Sequence, residues 1–197
     1  MKANSLRHDI VVIGAPIGGG AALAYLVAHF PPDLEASVFV VLHATPESPI
    51  LLADILSAPG RMRAAPALNG EPIARRRIYV AADGRHLLIS EGKVRLSGEE
   101  LDRPHRPSID LLFASAAAVF RERVVGVLLL HGREDGADGL RCICKAGGCT
   151  ITQRNEAMPD EPRHPESGEV LTHHHIKLDE IAPRVLAYVN GTIQNAV

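Results

Sequence analysis

Residues 9 to 20 read Asp9-Ile10-Val11-Val12-Ile13-Gly14-Ala15-Pro16-Ile17-Gly18-Gly19-Gly20. The β-branched run Ile10–Ile13 has no polar alternation. It therefore predicts a strand buried on both faces, as parallel sheets require. A glycine-rich turn follows, and then Ala/Leu-rich sequence predicts a helix over about Ala21–His29, ended by Pro31-Pro32. Strand, glycine turn, helix is the opening of an α/β unit.

The pattern repeats outward from there. Ser37–Leu42 (SVFVVL) predicts a second buried strand ending at His43. A helix through about Leu56 comes next, with Pro46 and Pro49 in or near its start. Ser108 is placed to cap a helix running to about Arg121, with Asp110 in its first turn. Val124–Leu130 and Cys149–Gln153 predict two more strands, with a helix over Ala137–Ala146 between them and a last helix over Leu178–Val189. In the middle, Arg77–Ala81, His86–Ser90 and Lys93–Leu96 are short runs separated by Asp83-Gly84 and Glu91-Gly92, a spacing that predicts antiparallel hairpins. The expected fold is α/β: a doubly wound, mostly parallel sheet with helices on both faces and a small antiparallel hairpin insertion. No repeat and no long linker divides the chain, so residues 1–197 are expected to form a single domain.

Composition narrows the function. Lys and Arg number 21 against 23 Asp and Glu, so the chain is not generally basic, and nucleic-acid binding is not expected. Aromatic residues make up 4% and Trp is absent, which leaves little for base stacking. The three cysteines lie within Cys142–Cys149 and do not suggest a disulfide framework. The first ten residues hold no apolar signal core, and no apolar run approaches the ~20 residues needed to cross a bilayer. A cytoplasmic protein without membrane insertion is expected.

In a doubly wound sheet, sites form at the carboxyl ends of the strands. Three suggestive loops fall there: Gly14–Gly20, His43–Pro46 and His131–Gly136. The first is not a nucleotide loop. From Gly18, the third glycine of the dinucleotide pattern would fall on Leu23, and the Lys of a P-loop is missing after Gly19. His173-His174-His175 invites a metal reading, but neighbouring residues of an extended segment alternate faces, so a surface or strand-like role is favoured. A His43/His131/Asp135 metal site is conceivable, because metal-activated water needs no serine. No cofactor or metal is expected.

Together these loops resemble a known family. Val11–Gly19 is similar to the first strand and turn of the chemotaxis receptor methylesterases of CheB type, whose turn reads G-A-S-T-G-G. His43 matches their strand-end Gln-His. Arg77–His86 resembles their "-YIAP-D-H" segment, Arg103–Phe113 their "RHRPSVD-LF" segment, and Asp135–Gly139 their "DGA-G". Ala146–Gly148 and Gln153–Ala157 continue the likeness, which covers about residues 9 to 158. It implies a CheB-like fold and hydrolysis of glutamate methyl esters on chemoreceptors by a Ser/His/Asp triad. It further implies His43 as the base, Asp135 as the acid that orients it, and the Gly14, Ala15, Ile17, Gly18, Gly19 turn as the oxyanion region. Arg103, His105 and Arg106 would be possible contacts to an acidic receptor helix. The family's N-terminal phosphoacceptor (receiver) domain is not expected in this chain, since about eight residues precede the first strand.

The departures cluster at the site. Pro16 occupies the position of the family's serine. It has neither a hydroxyl to attack with nor a backbone N–H to donate. Ile17 replaces the usual Thr and Leu42 the usual Gln, and Leu130–Asp135 departs from "T-G-M-G-N-D". Two readings follow: a hydrolase with an altered or impaired site, or a non-catalytic homologue that docks on receptor or signalling partners. Substitute nucleophiles such as Thr45, Ser48 or the cysteines lie off the turn. The cysteines read as small apolar core.

Overall fold

The computed structural model describes residues 8–43, 49–57, 61–81, 84–98, 107–130, 135–154, 159–160, 168–169 and 171–193, with the side chains of 49–51 left aside. Strands β1 (Ile10–Ala15), β2 (Ser37–Leu42), β3 (Arg63–Pro66), β4 (Arg77–Val80), β7 (Val124–Leu128), β8 (Cys149–Gln153) and β9 (His174–Ile176) form one sheet in the order β3-β4-β2-β1-β7-β8-β9. Every neighbouring pair in it is parallel. Strands β5 (His86–Ser90) and β6 (Lys93–Ser97) pair antiparallel as a separate hairpin.

The sheet is buried on both faces, as the β-branched runs require. Successive β1 residues point opposite ways. Val11 and Ile13 join the core under α1 (Gly20–Ala28), α2 (Pro49–Leu56) and α5 (Leu178–Val189), with Leu23, Leu26, Leu56 and Val185. Ile10 and Val12 join the opposite core, filled by α3 (Ile109–Phe120), α4 (Ala137–Lys145) and the hairpin, with Phe113, Leu140, Ile143, Leu87 and Val94. Phe39 and Tyr79 stack at 4.9 Å between ring centroids in this second core. The Tyr79 hydroxyl accepts from the Ala74 N–H at 2.7 Å, so its polar tip is satisfied.

Two local readings are corrected. Arg77–Val80 is not part of an antiparallel hairpin. It pairs parallel between β2 and β3, and only His86–Ser97 folds back on itself. Strand β3 is missed by the sequence because Arg63-Ala64-Ala65-Pro66 carries no β-branched residue. It occupies the sheet edge, where a proline without a donor is tolerated.

Sheet order reverses between β1 and β7: the chain passes from β1 to β2, out to edge strand β3 and back in to β4, then crosses to β7 on the other side of β1. The crevice at such a reversal is where doubly wound sheets place their sites. Gly14 allows α3 to close over it. A Cβ at Gly14 would lie 2.4 Å from the Cγ2 of Ile109, so only glycine admits the first turn of α3 this close to β1.

Candidate functional site

Backbone hydrogen bonds gather the strand ends. The His43 N–H donates to the Ala15 carbonyl at 2.9 Å, which sets His43 beside the start of the glycine turn. The Leu129 N–H donates to the Gly14 carbonyl at 2.9 Å, which ties the exit of β7 to the same place. The turn closes with the Gly19 N–H on the Pro16 carbonyl at 2.9 Å, and Gly18 takes φ +90°, a left-handed conformation suited to glycine. Pro16 is half-buried at the strand exit, and Ile17 is 75% exposed.

His43 and Asp135 meet over this turn. Nε2 of His43 lies 3.0 Å from Oδ2 of Asp135, and the two side chains are 10% and 5% exposed. The Asp135 carboxylate also takes the first amides of α3: Ile109 N–H donates to Oδ2 at 2.6 Å and Asp110 N–H to Oδ1 at 2.9 Å. The Ser108 hydroxyl donates to Oδ1 at 3.2 Å. A carboxylate at a helix N-terminus satisfies orphan donors and sits at the favourable end of the helix dipole. Burial by itself would raise this carboxyl. The His43 hydrogen bond and the Asp110 and Ile109 amides outweigh burial and hold it down at about 2. Asp135 is therefore an anion at neutral pH, and an imidazole nitrogen facing an anion carries the proton. Nε2–H is the donor, and the lone pair of the neutral ring lies on Nδ1.

Asp110 is the neighbouring carboxyl. Its Oδ1 accepts from Gly136 N–H at 2.9 Å and Gly139 N–H at 2.7 Å, the start of α4. Burial raises Asp110 to about 6; the Gly139 amide opposes that rise, and the negative charge of Asp135 adds to it. In the sequence Asp110 reads only as a first-turn acid of α3. The signal that could have found it is a Ser-capped helix start whose acid must meet the glycines of Asp135–Gly139.

Among the described residues Ser108 brings a hydroxyl to Asp135 by hydrogen bond, but it is 1% exposed and also caps α3 by accepting from Leu111 N–H at 3.4 Å. It has no path to an ester. Among the sequence-predicted residues, Gly14, Ala15, Pro16, Ile17, Gly18, Gly19, His43 and Asp135 converge on this crevice. Arg103, His105, Arg106, His131, Thr45 and Ser48 lie outside the described residues.

The three histidines stand elsewhere. His174 and His175 belong to edge strand β9, and His173 directly precedes it. Nδ1 of His173 meets the Thr150 hydroxyl at 2.8 Å, Nε2 of His174 the Tyr188 hydroxyl at 2.8 Å, and Nδ1 of His175 the Thr152 hydroxyl at 2.9 Å. The rings disperse to three partners rather than converge. Among the described residues, no three His, Cys, Asp or Glu side chains are grouped to hold a metal ion, and no helix is long and apolar enough to cross a membrane. Cys149 is fully buried, as the apolar reading expects, and Cys144 is half-buried; Cys142 corrects that reading, since it is exposed on α4.

Known proteins place this architecture. The chain matches the CheB methylesterase family over residues 11–185. It is 41% identical over 151 residues to the protein-glutamate methylesterase/protein-glutamine glutaminase 2 of Anaeromyxobacter dehalogenans, covering 77% of this chain and 44% of that one. It is 30% identical over 188 residues to protein-glutamate methylesterase/protein-glutamine glutaminase 1 of Pseudomonas fluorescens, covering 94% and 56%. The chain thus spans about half the length of these relatives. The crystal structure of the Thermotoga maritima CheB methylesterase catalytic domain superposes with a TM-score of 0.78 at 25% identity, over 90% of this chain and 97% of that domain. Sequence and fold agree: the chain belongs to the CheB methylesterase family.

Proposed function

We propose that this chain is a chemotaxis-type signalling domain that keeps the methylesterase scaffold and has lost serine-based ester hydrolysis. It acts in the cytoplasm by binding a methyl-accepting chemoreceptor or a similar signalling protein. The observation that carries the reading is Pro16 directly after β1, next to Ala15, whose carbonyl takes the N–H of His43, the partner of Asp135. In a triad, the base takes a proton from a hydroxyl, and the hydroxyl oxygen attacks the ester carbonyl. Pro16 offers no hydroxyl oxygen, so no acyl-enzyme bond can form on its side chain. It also removes one backbone donor from the region that would hold the tetrahedral oxyanion. The names of the relatives point to ester and amide groups on protein glutamyl side chains as the original substrates. A surface shaped for such receptor segments can outlast the chemistry.

The test is methanol release from a methylated receptor cytoplasmic fragment, with native protein, His43→Ala and Pro16→Ser side by side. Native protein and His43→Ala are expected to stay at the uncatalysed background, while the native protein binds the fragment in calorimetry. Native turnover that His43→Ala abolishes overturns the reading in favour of a hydrolase with another nucleophile.

A further inference from the structure

We propose that Asp110 is a positioning residue for the His43–Asp135 pair: its carboxylate holds the turn that aims Asp135 at His43. The inference rests on the reading of that pair as the working core of the site. Two helix starts exchange anions here. Asp135, just before α4, caps α3 through the Ile109 and Asp110 amides at 2.6 and 2.9 Å. Asp110, in the first turn of α3, caps α4 through the Gly136 and Gly139 amides at 2.9 and 2.7 Å. The residue preceding α4 is Gly136, which has no side chain with which to cap it. Asp110 supplies that cap from another helix.

The position of the cap makes it more than helix support. Gly136 is the residue after Asp135 and takes φ +108°, a left-handed conformation. A single oxygen of Asp110 therefore fixes the peptide that directs the Asp135 side chain. The backbone N–H of Asp110 binds the other end of the same lever, the Asp135 carboxylate. The packing is correspondingly tight: a Cβ at Gly139 would lie 3.0 Å from the Cα of Asp110. The arrangement places two carboxylates side by side in a buried setting, which is unfavourable on charge alone. α3 has its own cap in Ser108, so capping α3 does not require an acid at 110.

The readout is the His43 Nε2–H proton in protein labelled with ¹⁵N-histidine, since a hydrogen bond to Asp135 slows its exchange with water. The resonance is expected in the native protein and in Asp110→Asn, whose amide oxygen still accepts from both glycines. Asp110→Ala is expected to lose it or to exchange at least tenfold faster, with the remaining amide spectrum folded. Should that variant not fold, Asp110→Ser, too short to reach both amides, serves in its place. Ser57→Ala, which breaks the Ser57–Ala64 contact beside β3, is the control for general destabilisation and is expected to keep the signal. Native exchange and shift in Asp110→Ala overturn the inference while leaving the pair intact. A resonance unchanged in Asp135→Asn, or missing from native protein, overturns the reading of the pair and this inference with it.

Discussion

His43 and Asp135 stand 3.0 Å apart although 92 positions separate them in the chain. The distance is set by backbone on both sides. His43 is pinned by its own N–H to Ala15, and Asp135 by the first amides of α3. The imidazole and the carboxylate are thus brought together by contacts that do not involve the side chain of residue 16. What the site can do depends on what is put there.

Restoring a hydroxyl is the direct check of that statement. Removal of a triad nucleophile lowers turnover by on the order of 10⁶. Native protein is expected to take up no fluorophosphonate ester at residues 14–19 by mass spectrometry. Pro16→Ser is expected to be labelled at residue 16, and Pro16→Ser/His43→Ala at least tenfold more slowly.

The two carboxyls give stability an uneven pH profile. Asp110 is raised to about 6, so the folded state binds its proton more tightly than the unfolded chain. Its contribution is complete below pH ~4 and is lost as pH rises through about 6. Asp135 is lowered to about 2, so its contribution is present above pH ~4 and is lost as pH falls toward 2. In urea unfolding at pH 4, 5, 6 and 7, Asp110→Asn is expected to flatten the decline between pH 4 and 6. A native-like slope in that variant would assign the decline to other groups.

The contact between β1 and α3 should show as coupling. Gly14→Ala puts a methyl within 2.4 Å of Ile109 Cγ2, and overpacking of this kind costs about 1–3 kcal/mol. Ile109→Ala alone leaves a cavity costing about 2–5 kcal/mol. The double variant is expected to lose less than the sum, because the alanine at 109 makes room for the alanine at 14. Additive losses in denaturant unfolding would show that α3 shifts instead.

Thiol reactivity should separate the three cysteines. Cys142 is exposed, and Cys149 is fully buried, its thiol pushed up to about 12 mainly by burial. At pH 8 a disulfide reagent is expected to modify Cys142 in folded protein and to reach Cys149 only on unfolding. Fast modification of Cys149 in native protein would mean that α5 lifts from the sheet.

Much of this fold was legible because period and punctuation agreed. Ser37–Leu42, Cys149–Gln153 and Leu178–Val189 match the elements to the residue, each being a short β-branched or apolar run or a helical stripe bounded by turn or polar residues. Strand β3 was not legible, because an edge strand of four residues draws its pairing from β4 rather than from its own side chains. The parallel setting of β4 was hidden too, since the run Arg77–Val80 looks the same whichever neighbour it meets. At the site, His43 and Asp135 came from the resemblance to the CheB-type methylesterases, residue by residue. Asp110 did not, because its partners are the backbone amides of Gly136 and Gly139, and glycines at a turn read first as conformational rather than as donors to a distant acid.

The anchoring of Asp135 in the first turn of α3 has a consequence for how such domains change over generations. A substitution there would strip three donors at a helix start as well as a histidine's partner, so the fold itself penalises its loss. Pro16 faces no such check: its carbonyl serves the turn whichever side chain residue 16 carries. The fold therefore resists change at residue 135 more than it resists a change of side chain at residue 16. An intact His43–Asp135 contact testifies to folding before it testifies to turnover.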